Sequence, residues 1–301
     1  MSSEMDFGDT PYLSEMGILL IAPRNTGKSF AGNIILGKEE FDLKRCAQCV
    51  RRCGEVANRR LTVIEVPGWF REYSVDSSPE LLKQEIVLSV SLCPPGPHAI
   101  LLLIRVDMRF TEAQRKAVQG HLELLSEGVW SHTIVVFIHG NYLLDTSIEQ
   151  HIESEGQDLQ WLLDKCGNRY HVLNFQDRSD DTQVKELLEM IEETVAQNNG
   201  CHFEIDKKIL QEMKERRRAE EERAYERMKR MKKQRDDIRS QMMKGVKKSA
   251  SSSFGSRSGA DSRSDSPFSI VDDSNLEERC NSMGLPLPLM SGDETSDTMS
   301  V

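Results

Sequence analysis

The stretch from Gly17 to Gly37, GILLIAPRNTGKSFAGNIILG, constrains the fold more than any other part of the sequence. A short apolar run is followed by eight turn-forming residues, from Ala22 to Ser29, and then by apolar side chains at helical spacing. This order predicts a strand, a tight loop and a helix. The octet APRNTGKS also fits the pattern of a small residue, four variable positions and Gly-Lys-Ser, which is typical of loops that hold phosphate groups.

Each position of this loop has an expected part in phosphate binding. Backbone N–H groups of the loop and of the first helical turn would face phosphate oxygens. Lys28 would reach the β- and γ-phosphates, and the Ser29 hydroxyl would hold Mg²⁺. The candidate nucleotide-binding residues of the loop are Pro23, Arg24, Asn25, Thr26, Gly27, Lys28 and Ser29. An ordinary strand-to-helix turn is the alternative, and the order of strand, loop and helix favours the phosphate loop.

Some positions of the loop depart from the usual pattern. Ala22 stands where glycine is common, so the loop must avoid a positive φ there. Asn25 tolerates the left-handed backbone conformation that such loops use. Pro23 and Arg24 place bulk beside the phosphates, which favours nucleotide binding over fast hydrolysis.

Apolar runs and helical stretches alternate along the chain up to about Ala196, which predicts one core of roughly 180 residues. The predicted strands are 61–66, 99–106, 133–138 and 170–174, and the predicted helices are 79–92, 111–127, 147–165 and 180–196. Runs such as ILLLIRV and TIVVFI are typical of strands covered on both faces. The fold class is therefore α/β, a doubly wound, mainly parallel sheet. Such sheets bind ligands beyond the carboxyl ends of their strands.

The strand LTVIEV ends in EVPG, from Glu65 to Gly68. Nucleotide switch proteins carry Asp-x-x-Gly at this place, where the acid holds magnesium and the glycine N–H senses the γ-phosphate. Glu65 is therefore a candidate metal ligand and Gly68 a candidate phosphate contact. A plain Pro-Gly turn is the alternative, which the preceding phosphate loop disfavours. Trp69 follows, so no glutamine stands there to orient an attacking water.

Four strings, GNIILG, CPPGPHAILLLIRVDMRFTEAQRKAV, VWSHTIVVFIHGNYL and RYHVLNF, resemble the GTPases of immunity-associated proteins, the GIMAP family. The resemblance extends from about Met16 to Gly200. It implies an AIG-type G domain, a P-loop NTPase of the septin and dynamin-related kind. It also implies GTP or GDP with Mg²⁺ as ligands, and dimers or oligomers formed through the G domain.

The resemblance assigns further residues. The base-recognition motif falls on residues 138–141, with Asn141 in place of the aspartate that accepts two hydrogen bonds from guanine. Asn174 matches the second asparagine on the base side. His139 would stack on the base, or is merely structural. Val50 takes the place of the switch I threonine and offers magnesium no hydroxyl.

Arg109 lies just past the predicted strand 99–106, in the Arg-Phe-Thr of the family-specific string. An arginine there would reach the nucleotide of a neighbouring molecule and stabilise the phosphate in transfer. The alternative is a surface arginine before a helix that starts at Thr111.

The sequence predicts four segments: a disordered N-terminus (1–15), the G domain (16–200), a basic helical extension (201–248) and a disordered, serine-rich tail (249–301). Between Lys207 and Lys248 there are seventeen lysines and arginines against eight aspartates and glutamates, although the whole chain carries −10. A solvated charged helix is expected, with a weak coiled-coil seam of Ala224, Met228, Met231, Ile238 and Met242. Its candidate partner is an anionic membrane surface, and nucleic acid is not favoured.

The sequence predicts a cytoplasmic protein, peripheral on membranes at most. No run reaches the roughly 20 apolar residues of a transmembrane helix, and the first ten residues lack the features of a signal peptide. Seven cysteines indicate free thiols. Cys46, Cys49 and Cys53 are close in sequence, but no fourth ligand follows at zinc-site spacing.

Two functions remain open at this point. A slow GTPase switch that acts in oligomers is favoured by Lys28, Ser29, Gly68 and Arg109. A scaffold that binds nucleotide, or only keeps the fold, and recruits partners through its tail is favoured by Val50, Glu65, Trp69 and Asn141.

Overall fold

The computed structural model describes residues 13–43, 46–143, 146–175 and 181–252. Its strands are β1 (Glu15–Ile21), β2 (Val50–Val56), β3 (Arg59–Glu65), β4 (Ala99–Arg105), β5 (Thr133–Ile138) and β6 (Tyr170–Leu173). Its helices are α1 (Lys28–Leu36), α2 (Glu80–Ser89), α3 (Glu112–Leu122), α4 (Ile148–Glu155), α5 (Gln157–Lys165), α6 (Asp181–Gln197) and α7 (Lys207–Ser252).

The six strands form one sheet in the order β2-β3-β1-β4-β5-β6. All neighbouring pairs are parallel except β2 and β3, which are antiparallel. The predicted doubly wound, mainly parallel sheet is confirmed. Because β1 lies between β3 and β4, the loops that follow these three strands meet at one edge of the sheet.

Helices cover both faces of the sheet, which explains the continuous apolar runs. On β1, Leu19 and Ile21 pack into a core with residues of α2, α3, α4 and α5. Ile18 and Leu20 point to the other face, where they join residues of α1 and α6. All four side chains are fully buried, so neither face of this strand tolerates a polar residue.

Two features differ from the sequence expectation. Strand β2 was not predicted, because VRRCGEV lies at the sheet edge and alternates half-buried and exposed side chains. The helix expected over 147–165 is two helices, α4 and α5. Gly156 separates them with a φ of 92° that an L-residue rarely adopts.

The predicted charged helix is present as α7, whose residues Ile209, Leu210 and Met213 pack against the core. By contacts the chain divides into two compact units, one ending at Lys233 and the other starting at Gln234. Helix α7 continues through Ser252, past the expected boundary at 248. The tail beyond Ser252 and residues 1–12 belong to segments expected to be disordered and lie outside the described residues. Glu15, in the N-terminal segment 1–15 that was also expected to be disordered, instead begins strand β1. Within the described part of the chain, no helix is long and apolar enough to span a membrane.

Candidate nucleotide-binding site

The loop between β1 and α1 adopts the backbone conformation that its sequence predicts. Asn25 has a φ of 61° and Gly27 a φ of 96°, both in the left-handed region. Ala22 is fully buried and keeps a φ outside that region. Helix α1 begins at Lys28, directly after the Gly27 cap. The N–H groups of its first turn are therefore available to an anion at the loop.

Lys28 is a buried cation, 7% exposed, whose polar partners are neutral. Its Nζ lies 3.5 Å from the carbonyl oxygen of Ala22 and 3.4 Å from that of Pro23. Burial lowers the pKa of Lys28 to about 8; Glu65 opposes this shift and Arg24 adds to it. A phosphate group would satisfy this charge better than two carbonyl groups do.

Ser29 and Glu65 meet at the ends of α1 and β3. The Ser29 hydroxyl donates to Oε1 of Glu65 at 3.0 Å. Burial raises the pKa of the Glu65 carboxyl, while the Ser29 hydrogen bond and Lys28 act in the opposite direction. Hydroxyl and carboxylate oxygens are the hard ligands that Mg²⁺ prefers. The two expected metal ligands therefore lie together and fit that ion.

The segment after β3 lies directly on the phosphate loop. The backbone N–H of Arg24 donates to the Trp69 carbonyl at 2.7 Å, and its side-chain Nε donates to the Gly68 carbonyl at 3.0 Å. A Cβ atom at Gly68 would lie 2.7 Å from the Ala22 oxygen and 2.8 Å from the Lys28 Nζ. Only glycine permits this approach.

These residues border one open cavity of about 560 Å³, which is lined by Lys28, Ser29, Glu65 and Gly68 among others. Cys46 and Ala47 also line it, although sequence reasoning did not single them out as nucleotide contacts. Val50, to which the resemblance assigns the place of the switch I threonine, begins β2 and packs against the core.

Trp69 anchors the segment that carries Gly68. Its ring is fully buried and stacks on His121 at 4.4 Å with an interplanar angle of 7°. His121 Nε2 lies 2.7 Å from the Ser78 hydroxyl, and burial lowers the pKa of this histidine. The sequence indicated only that a glutamine is missing at this position, whereas the structure shows a core residue.

The predicted base-side residues follow β5 and β6, which are adjacent parallel strands. His139 has a φ of 61°, and burial lowers its pKa, so it is neutral at pH 7. Asn141 is half-buried in the short turn after it. The Asn174 backbone is held by Gln183, whose amide oxygen accepts from the Asn174 N–H at 2.8 Å.

An aromatic cluster lies beside these base-side residues and was not predicted from the sequence. The Phe175 ring lies 4.6 Å from the ring of Phe30 and 5.0 Å from that of His139. It also lies 3.0 Å from where a Cβ of Gly27 would be, so it reaches the phosphate loop. The one sequence signal for this cluster was Phe30, the aromatic residue directly after Gly-Lys-Ser.

Arg109 is exposed between β4 and α3 and is not among the residues that line the phosphate cavity. Its carbonyl accepts from Arg71 Nη2 at 2.7 Å, and Thr111 caps α3 by accepting from the Gln114 N–H at 3.4 Å. Arg109 is thus presented outward and does not line the phosphate cavity of its own chain.

The profile of the AIG1 family matches residues 16–248, which include the phosphate loop, the Glu65–Gly68 segment and most of α7. The chain belongs to the AIG1 family. It is 29% identical over 201 residues to GTPase IMAP family member 8 of Homo sapiens, covering 64% of this chain and 30% of that protein. It is 32% identical over 203 residues to immune-associated nucleotide-binding protein 12 of Arabidopsis thaliana, covering 63% of this chain and 50% of that protein. The AIG1 chain therefore matches half or less of the length of these curated relatives.

A solved structure shares the fold. Toc33 of Arabidopsis thaliana in complex with Mg²⁺ and GMPPNP aligns with a TM-score of 0.50 at 13% identity. The alignment covers 62% of this chain and 86% of that one. At this identity the likeness concerns the arrangement of strands and helices alone.

Proposed function

We propose that this AIG1-family chain binds GTP or GDP with Mg²⁺ at the edge of the sheet where β1 and β3 end. The observation that carries the proposal is the convergence of Lys28, Ser29, Glu65 and Gly68 on one cavity. The family match supports guanine as the base, because the relatives include a named GTPase.

Each residue at the phosphate end has a distinct part. Lys28 neutralises the β- and γ-phosphates, and the Gly68 N–H faces the γ-phosphate. Ser29 and Glu65 hold Mg²⁺, which when bound neutralises charge on the phosphate oxygens. Pro23, Arg24, Asn25, Thr26 and Gly27 form the loop around the phosphates.

The base lies among His139, Asn141 and Asn174 in this proposal. Neutral His139 and the Phe175 ring offer flat apolar faces for stacking. Asn141 offers one acceptor and one donor to the base edge, where the family aspartate offers two acceptors.

Hydrolysis is slow and depends on a second copy of the chain. Val50 lies in β2 and offers Mg²⁺ no hydroxyl, and Trp69 is a core residue that cannot orient an attacking water. The chain therefore lacks two side chains that usually assist hydrolysis. The exposed Arg109 suits delivery to the nucleotide of a neighbour, in a dimer or oligomer formed through the G domain.

Nucleotide extraction tests this function. Purified protein is denatured, the released nucleotide is identified by chromatography, and a second portion supplied with Mg²⁺-GTP is followed over time at several protein concentrations. We expect guanine nucleotide, and a specific turnover that rises with protein concentration and is lost in Arg109→Ala. Arg60→Ala, which removes an exposed arginine on strand β3, is the matched control and should change nothing. An adenine nucleotide, or none, would contradict the proposal.

A nucleotide-binding scaffold without turnover is the second candidate. The buried Trp69 favours it, because stacking on His121 holds Gly68 in place without any contribution from a γ-phosphate. Bound GTP that persists unchanged at every protein concentration would establish the scaffold and exclude the enzyme.

The charged helix α7 bears on where in the cell the protein acts. We propose that residues 207–248 attach the chain to anionic membrane surfaces from the cytoplasmic side, and that nucleic acid is not the partner. The described side chains of α7 from Tyr225 onward are exposed, so its cations are available to a surface.

A further inference from the structure

A second cavity of about 400 Å³ lies beside the phosphate loop. It shares Arg24 and Asn25 with the phosphate cavity, but Lys28, Ser29 and Glu65 do not line it. Its walls come from the end of β4, from α3 and from the segment after Gly68. This volume is within the range of small-molecule sites, roughly 300–1,000 Å³.

The wall of this cavity is apolar. Its accessible apolar surface comes from Phe70 and Met108, which are 48% and 38% exposed. Behind them lie Leu103, Ile104, Phe110 and Val118, which are at most 6% exposed and belong to the core.

Arg24 and Arg71 stand at the rim without an acidic partner. Arg71 donates to the Met108 sulfur at 3.2 Å and to the Arg109 carbonyl at 2.7 Å, and the Gln114 amide oxygen, suitably oriented, accepts from its guanidinium group. Arg24 lies 4.3 Å above the Phe70 ring. In the described part of the chain no carboxylate forms an ion pair with either of the two.

Arg105, a third arginine that lines the cavity, differs from these two because a carboxylate neutralises its charge. Arg105 pairs with Asp107 at 2.6 Å, and this hydrogen bond holds the pKa of the Asp107 carboxyl below its usual range. Arg24 and Arg71 have only neutral partners by comparison, so the rim keeps two positive charges that an anion would neutralise.

We propose that this cavity binds a small amphipathic anion, an acyl or aryl group that ends in a carboxylate. The apolar part lies against Phe70 and Met108, and the carboxylate accepts from Arg24 and Arg71. A guanidinium group matches a carboxylate with two parallel hydrogen bonds, which a single-point cation does not. The apolar wall then contributes affinity by burial, and the rim selects the charge.

The position of the cavity links such a ligand to the nucleotide. Because residues 23–26 line this cavity and also form the phosphate loop, the two ligands change each other's affinity by the same factor. This linkage rests on the proposed function, whereas binding of the anion itself does not.

Equilibrium dialysis of the full chain against radiolabelled octanoate, without nucleotide, tests the site. Octan-1-ol is the uncharged probe of the same length. We expect one octanoate per chain, and binding of octan-1-ol weaker by about tenfold, since hydrogen bonds to a charged group are the strong ones. Arg71→Gln should weaken octanoate about tenfold and leave octan-1-ol unchanged. Arg60→Gln, at a distant exposed site, should alter neither.

Three results would overturn the proposal. The first is equal binding of the acid and the alcohol, and the second is unchanged octanoate affinity in folded Arg71→Gln. The third is absence of octanoate binding together with a dimer that Arg71→Gln dissociates, which would assign the rim to a second copy. If Arg71→Gln does not fold, Met108→Trp, which narrows the cavity at an exposed lining residue, must weaken octanoate binding. Because bound nucleotide is removed from the protein before dialysis, failure here is distinguishable from failure of the proposed function.

Discussion

At the scale of single residues, Asn141 decides the proposed base preference. An aspartate there would present two acceptors to guanine, whereas Asn141 presents one acceptor and one donor, so one pairing is lost. An unmet buried polar group costs about 1–3 kcal/mol, which is roughly 5- to 150-fold in affinity. Xanthine carries a carbonyl in place of the amino group of guanine, and the Asn141 amide can donate to it.

We therefore expect the affinity of the wild type for XTP to rise relative to its affinity for GTP, and Asn141→Asp to restore the preference for GTP. Affinities of both nucleotides for both proteins, measured by titration calorimetry, check this. A wild type that prefers GTP by a wide margin, unchanged in Asn141→Asp, would show that Asn141 does not face the base.

At the scale of elements, Trp69 fixes the segment that follows β3. Replacing this fully buried side chain with alanine removes its stacking on His121 and leaves a large cavity. We expect Trp69→Ala to lower the free energy of unfolding by about 3–5 kcal/mol, measured in urea. Phe70→Ala is the neighbouring control, because Phe70 is 48% exposed, and its loss should stay within about 1 kcal/mol. Similar losses in both variants would mean that Trp69 is not the anchor.

The sequence predicts best those elements whose side chains all lie in the same environment. Strand β5 has the predicted bounds, Thr133–Ile138, because every one of its side chains is buried. Strand β2 escapes prediction because three of its seven residues are exposed and the others are only half-buried. The division between α4 and α5 was missed because Gly156 stands inside a continuous helical pattern.

The same contrast holds within the candidate site. The phosphate loop is local in sequence, so its residues and the left-handed Asn25 could be predicted from a short motif. The stacking of Trp69 on His121 and the approach of Phe175 to Gly27 join residues far apart in the chain. Such contacts depend on packing between elements, which spacing along the chain does not encode.

At the scale of the whole molecule, charge is unevenly distributed. The chain carries −10, yet residues 207–248 hold seventeen basic against eight acidic side chains. A basic segment gains about 1 kcal/mol per cation near an anionic membrane, and salt screens this attraction over about 8 Å at physiological ionic strength.

We expect the chain to co-sediment with vesicles containing phosphatidylserine, and this binding to weaken steeply as salt rises. Uncharged phosphatidylcholine vesicles are the control and should not bind. A chain ending at Gly200 that binds the anionic vesicles equally well would show that the charged helix has no part in it.

In the function proposed above, the loop of residues 22–29 binds nucleotide through the charge of Lys28. Burial lowers the pKa of this lysine to about 8, so the free protein holds the charged form below that pH and loses it above. Phosphate favours the charged form and raises the pKa again. Nucleotide affinity should therefore be highest below pH 8 and fall by up to about tenfold per pH unit above it.

The most direct test is the affinity of Mg²⁺-GTP for the full chain and for Lys28→Ala, measured by titration calorimetry at pH 7, with circular dichroism to confirm that both are folded. We expect one GTP per wild-type chain and no measurable binding by folded Lys28→Ala. Equal affinity in the two proteins, or no binding by the wild type, would contradict this expectation.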